Sequence, residues 1–362
     1  MTLLGIVGLL LLFILLAIRM PVALSMLGVG FVGTIIANAN KFLALGMSGE
    51  QAWARGWKVA FSNLSGEAFE AASNYNLLVI PMFVLMVNLA GVSGLSGDLF
   101  NTAYRWLGNL RGGLASATIA ACAGFAALSG SSLASAVTMG RVALPEMKKY
   151  KYEDGLATGS VAAGGTLGFL IPPSAGMIIY AVLTEQSIGR LFMAGIIPGI
   201  ILTLLFIGAI NVVVARKPES GPPGPSFSLK ERLLSLRLAL PIIAVVVITI
   251  GGMYTGFFTP VEASAVGAFL TFVVALLRRS LTLAKVKTVI LQTLSATATV
   301  FLIIIGAFVF IPFMSLTELP AQLVTLLTSL PIGSIGILIV IILIYMFLGM
   351  FLEGIAMLVL TI

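Results

Sequence analysis

The chain has 362 residues, of which 59% are hydrophobic and 9% charged, where a soluble domain carries about 25% charged residues. With a mean hydropathy of +1.15, that deficit excludes an ordinary soluble enzyme, a disordered chain and, despite a net charge of +7, a nucleic-acid binder. With no histidine and a single cysteine, Cys122, the chain has no His-based catalysis, no His proton relay, no intrachain disulfide and no multi-thiolate site.

At roughly 20 residues per spanning helix, this length allows about ten crossings or re-entrant segments. Apolar runs fall at about 3–18, 22–39, 76–93, 114–145, 155–184, 191–214, 238–257, 261–277, 288–315 and 332–362. The first has no basic region ahead of it and no small-residue cleavage site, so it is expected to stay as a membrane helix. Residues 40–75 interleave Trp53, Trp57, Phe61 and Phe69 with Arg55, Lys58, Glu67 and Glu70, the pattern of an amphipathic helix lying at the membrane interface. Residues 215–237, with Gly221-Pro222-Pro223-Gly224-Pro225 at their centre, predict a cytoplasmic linker between two halves, 1–214 and 238–362. If the N-terminus lies outside, sixteen of the twenty basic residues fall inside and four (Lys41, Arg55, Lys58 and Arg190) fall outside, a strong positive-inside bias. That topology requires 114–145 to enter and leave on the cytoplasmic side. It also requires 155–184 to cross once, broken in its middle.

The two halves echo each other. Pro21-Val22-x-x-Ser25-x-x-Gly28 recurs as Pro260-Val261-x-x-Ser264-x-x-Gly267, and Leu110 with Leu128-Ser129-Gly130 aligns with Leu330 and Leu348-Gly349-Met350. The first copy of the Pro-Val segment runs inside to outside and the second outside to inside. This is an inverted-topology repeat, the architecture of many secondary transporters. Completing its symmetry takes roughly 60 residues beyond Ile362, so the sequence is expected to be a C-terminally shortened copy.

Three segments carry candidate chemistry. Leu128-Ser129-Gly130-Ser131-Ser132 sits at the centre of 114–145, whose arms of about 14 residues are too short for a ~30 Å core. A re-entrant hairpin with a polar tip fits, and so does a small-residue packing face. As a tip, its carbonyl and hydroxyl oxygens suit Na⁺ and its helix N-terminus suits a carboxylate. Gly168-Phe169-Leu170-Ile171-Pro172-Pro173-Ser174 interrupts the next span. Paired prolines cannot sit inside a continuous helix, and broken backbone at membrane depth is tolerated where it is buried in protein or lines a cavity. The alternative is a plain kink. Gly349-Met350-Phe351-Leu352-Glu353 is the opposing tip, with Glu353 either compensated at a site or snorkelling from an apolar run. Glu262 is expected at the outer interface.

These segments, together with Asn76-Leu77-Leu78-Val79-Ile80-Pro81-Met82-Phe83, Leu110-Arg111-Gly112-Gly113-Leu114 and Tyr180, resemble the large membrane subunit of tripartite ATP-independent periplasmic (TRAP) transporters. The likeness runs from about residue 2 to 362. It implies an all-α, multi-pass protein of the bacterial inner membrane, with two re-entrant hairpins and broken helices in an elevator-type carrier. It also implies three partners in the bilayer and periplasm: a small membrane (Q) subunit, a periplasmic substrate-binding (P) protein and an organic acid anion, with Na⁺ as coupling ion and no cofactor. Carried onto this sequence, the site residues are Ser129, Gly130, Ser131 and Ser132, then Pro172, Pro173 and Ser174, then Gly349, Met350 and Glu353. Ser129, Ser131, Ser132 and Gly349 are the Na⁺ candidates. The sequence departs from the family pattern at Ser135, where many members carry an acidic residue.

The expected function is therefore a subunit of a Na⁺-driven importer of an organic acid anion, not an enzyme. Three alternatives stay open at this point: a stand-alone divalent-anion/Na⁺ symporter that needs no binding protein, a membrane-embedded enzyme, and a non-transporting scaffold.

Overall fold

The computed structural model describes residues 1–329, 331–350, 352 and 354–362. Every regular element among them is helical. The chain opens with α1 (Thr2–Ala17), α2 (Val22–Ala44) and α3 (Gly49–Ser73), followed by a 3-10 turn and α4 (Val79–Val92) and α5 (Leu95–Leu107). The hairpin arms are α6 (Gly113–Ser129) and α7 (Ser132–Lys149). Next come α8 (Asp154–Leu170), α9 (Ala175–Leu183) and α10 (Ile188–Arg216). Then α11 (Leu229–Val246) runs through a π-helical turn into α12 (Gly252–Tyr254), before α13 (Pro260–Leu277) and α14 (Leu283–Thr317). The chain finishes with α15 (Leu319–Ser329), α16 (Ser334–Gly349) and α17 (Gly354–Thr361). Among the described residues seven helical stretches are long and apolar enough to cross a membrane.

The helix starts follow capping chemistry. Pro21 and Pro260 both stand where a helix begins, a position that loses nothing by lacking an amide. The serines of the repeated motif, Ser25 and Ser264, are fully buried and donate to backbone carbonyls of their own first turns, Pro21 and Val261. Glu262 forms a capping box: its carboxylate accepts from the Thr259 amide at 2.8 Å, and Thr259 Oγ1 accepts from the Glu262 amide at 3.3 Å. Thr259→Ala is expected to cost about 0.5–2 kcal/mol, read as a fall in the thermal unfolding midpoint in detergent. An unchanged midpoint would show that this cap contributes nothing.

A second capping box, Ser228 with Glu231, starts α11 eight residues before the end predicted for the linker at 237. Lys230, Arg232 and Arg237 are thus helical residues, and the stretch outside the α-helices shrinks to about 217–228, with a 3-10 turn at Pro218–Ser220.

The helices form two compact units, each drawing on both halves of the sequence. One holds Met1–Asn74 and Ala298–Ile362, and the other Tyr75–Thr297. In the first, a stripe of small residues on α3 (Ala52, Gly56, Ala60) is buried. A Cβ on Gly56 would lie 2.8 Å from the Ile35 carbonyl of α2, so backbone meets backbone there. Beside that stripe Phe31, Trp57 and Phe61 form an aromatic cluster with ring centroids 5.1–5.9 Å apart, while Trp53, Trp57 and Phe61 keep exposed faces. In the same unit, a Cβ on Gly30 would meet Phe310 backbone at 2.7 Å, and Cβ atoms on Gly8 and Gly33 would meet the Phe313 ring.

In the second unit α4 packs on α13, α5 on α11, and α8 on both hairpin arms. Gly267 gives way to Met86 and Thr249, whose atoms would lie 2.6 and 2.9 Å from a Cβ. Asp98 in the first turn of α5 pairs with Arg278 at the C-terminal end of α13. Each charge sits at the helix end whose dipole favours it.

Candidate functional site

The first hairpin turns in two residues. Gly130 closes α6 with φ +56, and its amide donates to the Ala126 carbonyl at 3.1 Å. This left-handed conformation is the usual C-terminal stop, and glycine adopts it without strain. Ser131 is extended (φ −134, ψ 126) and caps α7, its hydroxyl accepting from the Ala134 amide at 3.4 Å. The turn thus puts the C-terminal end of α6 beside the N-terminal end of α7.

The next span breaks in the same manner. α8 ends at Leu170, the Pro172-Pro173 bond is cis, and Ser174 caps α9 by accepting from the Met177 amide at 3.5 Å. Ser174 Oγ also donates to the Phe169 carbonyl at 2.6 Å, across the break. Pro172, Pro173 and Ser174 are all buried, so the backbone freed by the prolines is enclosed in protein.

Turn and break interlock. The Ala175 amide, first in α9, donates to the Gly130 carbonyl at 3.0 Å. A Cβ on Gly130 would lie 2.5 Å from the Pro173 carbonyl oxygen and 3.2 Å from the Ala175 nitrogen. One turn further back, a Cβ on Gly168 would meet the Ser131 carbonyl at 2.6 Å and Ser135 Oγ at 3.0 Å. Four helix ends meet here, two C-terminal (α6, α8) and two N-terminal (α7, α9). The first kind presents partial negative charge and the second partial positive charge.

The polar atoms at this meeting point are neutral oxygens. Ser129 Oγ hydrogen-bonds Ser135 Oγ, both residues buried, and lies 3.5 Å from the Ser131 carbonyl. Among the described residues no three His, Cys, Asp or Glu side chains cluster as a metal site would need. A hard monovalent cation is the kind such hydroxyl and carbonyl oxygens suit, and amide-bearing helix ends suit a carboxylate. The groove on the other side of Pro172, about 370 Å³ in volume, is lined by Ala123, Ala127, Ile171, Ile196 and Leu204 and offers little to a charged solute.

Of the ten site residues named from the sequence, Ser129, Gly130, Ser131, Ser132, Pro172, Pro173 and Ser174 lie in the unit formed by Tyr75–Thr297. Gly349 and Met350 belong to the other unit, at the exposed end of α16. There α17 turns back along α16, and the Tyr345 hydroxyl donates to Thr361 Oγ1 at 2.7 Å. Glu353 lies outside the described residues, as do Phe351 and Leu330. Ser135 and Gly168 are not among those ten, although Gly168 opens the candidate Pro-Pro segment and Ser135 marks a departure from the family pattern. The signal for Ser135 was its spacing: four residues after the capping Ser131, it falls on the same helix face.

Residues 9–362 match the family model of the tripartite ATP-independent periplasmic transporter, DctM component. The chain belongs to this family. It is 37% identical over 292 residues to the C4-dicarboxylate TRAP transporter large permease protein of Pseudomonas aeruginosa, covering 80% of this chain and 68% of that protein. It is 36% identical over 267 residues to the ectoine/5-hydroxyectoine TRAP transporter large permease of Ruegeria pomeroyi, covering 74% and 62%. It is 33% identical over 290 residues to the sialic acid TRAP transporter large permease of Vibrio cholerae, covering 80% and 67%. The chain thus spans about two thirds of these relatives' length. Each is named as a permease rather than an enzyme. With seven long apolar helical stretches among the described residues, this TRAP family member is a multi-pass protein of the inner membrane.

Proposed function

We propose that the chain acts as the large membrane subunit of a Na⁺-driven secondary transporter. It imports an organic acid anion delivered by a periplasmic binding protein and works beside a small membrane subunit. The observation that carries this reading is the interlock of Gly130 with the Pro172-Pro173 break in a chain of the TRAP family. It gathers neutral oxygens and helix ends of both polarities at a half-buried turn and a break enclosed in protein. Ser129, Ser131 and Ser132, with the C-terminal end of α6, supply oxygens to Na⁺. The N-terminal end of α7 faces the anion. Relatives named for C4-dicarboxylate and sialic acid support a carboxylate substrate. Gly349, Met350 and Glu353 are the candidates named for the second tip, and the carrier works by an elevator-type movement.

The test is uptake of a labelled organic-acid panel into proteoliposomes holding the chain, the small subunit and the binding protein, each left out in turn. Uptake that needs Na⁺ and the binding protein supports the reading. Uptake that needs Na⁺ but neither partner would make it a stand-alone symporter, and uptake indifferent to Na⁺ would overturn the coupling. Ser131→Leu and Ser132→Leu are each expected to abolish Na⁺-dependent uptake. Wild-type rates in both would remove the first tip from the mechanism.

A further inference from the structure

The stretch between α10 and α11 has the composition of a tether, and Gly/Pro-rich spacers carry no intrinsic tertiary contacts. Its backbone is nonetheless engaged at three points. The Gly112 amide donates to the Gly221 carbonyl at 2.8 Å, the Gly224 amide donates to the Gly108 carbonyl at 2.8 Å, and the Glu153 amide donates to the Ser220 carbonyl at 3.0 Å. Gly108 and Gly112 bracket the turn that leads into α6, and Glu153 caps α8 just after α7 ends. The stretch therefore touches both roots of the first hairpin.

Side chains reinforce the backbone. Lys217 pairs with Glu153 at 3.0 Å. The Phe227 ring stands edge-on to Tyr104 at 5.5 Å, with the Arg105 guanidinium 5.8 Å from its centroid. Trp106 Nε1 donates to the Arg232 carbonyl at 3.2 Å. Tyr152 completes the ring of contacts: the Leu114 amide donates to its hydroxyl at 3.1 Å, and burial pushes its phenol up against the opposing pull of that hydrogen bond. Ser220 and Gly221 are buried. The glycines are required by contact rather than by flexibility. A Cβ on Gly221 would lie 3.0 Å from both Gly112 Cα and Val214 Cγ2, and one on Gly224 would lie 2.9 Å from the Gly108 carbonyl.

We propose that residues 217–228 form a clasp that pins the two roots of the α6–α7 hairpin together, so that hairpin, α8 and the facing ends of α10 and α11 behave as one rigid body. Any hinge between the sequence halves then lies outside this stretch. The inference does not depend on the transport reading, because its readout is amide exchange rather than uptake.

Hydrogen exchange on the full chain in nanodiscs tests it. The amides of Gly112, Glu153 and Gly224 are expected to exchange roughly a hundredfold or more slower than in free peptides of the same sequence. Gly221→Val is expected to raise exchange at Gly112 and Glu153 by roughly tenfold or more while leaving the α13 core unchanged. Pro223→Ser, at an exposed position outside these contacts, is expected to change none of them. Peptide-like exchange across 217–228 in the unaltered chain would overturn the clasp even if the valine variant failed to fold. So would equal indifference to both substitutions.

Discussion

Replacing Gly130 with valine is expected to abolish Na⁺-dependent uptake, by more than tenfold, in protein that still inserts and unfolds cooperatively. Two independent costs fall on that one residue. A side chain at φ +56 is held in the left-handed region at about 1–2 kcal/mol. Its Cβ also arrives 2.5 Å from the Pro173 carbonyl oxygen, a distance that backbone on neither side yields cheaply. The relief is to separate turn from break, which removes the Ala175 to Gly130 hydrogen bond and moves the ends of α7 and α9 apart. Gly130→Ala should fall between wild type and valine, since it carries the same Cβ without the branches. Uptake within twofold of wild type in the valine variant, at equal protein per liposome, would show that the interlock has no part in transport.

The second large effect is expected at Asp98 and Arg278. Removing one partner of a buried ion pair costs about 3–5 kcal/mol. The side chains here are 28% (Arg278) and 19% (Asp98) exposed, which discounts the loss to about 1–3 kcal/mol. Arg278→Gln and Asp98→Asn should each lower the unfolding midpoint. The double variant should be little worse than the poorer single, because the second substitution removes a charge already orphaned. Strictly additive losses would mean that the two charges do not act on each other. The pair ties a helix of the first sequence half to one of the second, so its loss should also speed amide exchange at the start of α5.

Hydropathy and punctuation made the helical, polytopic class legible. Each long apolar run carries a helix, and the turn at Gly130 and the break at Pro172-Pro173 stand where a glycine among serines permits a left-handed stop and paired prolines end a continuous helix. What local pattern does not encode is which backbone meets which. Nothing near Gly130 announces that its carbonyl is taken by Ala175, or that Gly168 opens space for Ser131. These are close approaches between helices far apart in sequence, signalled by small residues that are common throughout an apolar chain. One miss was of another kind. The Thr259-x-x-Glu262 and Ser228-x-x-Glu231 spacings are capping boxes readable without coordinates. The second accounts for the early start of α11, and the first gives Glu262, expected at the outer interface, a helix end to cap. The Gly-Pro stretch read as a tether because composition reports what a segment does alone and is silent on the hydrogen bonds a neighbour supplies.

The composition of the unit formed by Met1–Asn74 and Ala298–Ile362 bears on biogenesis. The sockets that Gly8 and Gly33 leave for the Phe313 ring, and Gly30 for the Phe310 backbone, leave the ribosome long before the residues that fill them. At roughly 5–20 residues per second, translating Tyr75–Thr297 takes on the order of ten to forty seconds. For that interval the first three helices wait in the bilayer with a glycine-lined seam facing lipid or an insertion chaperone. This unit is therefore expected to be the last to mature, and a premature stop before residue 298 leaves α1–α3 as the natural target for membrane quality control.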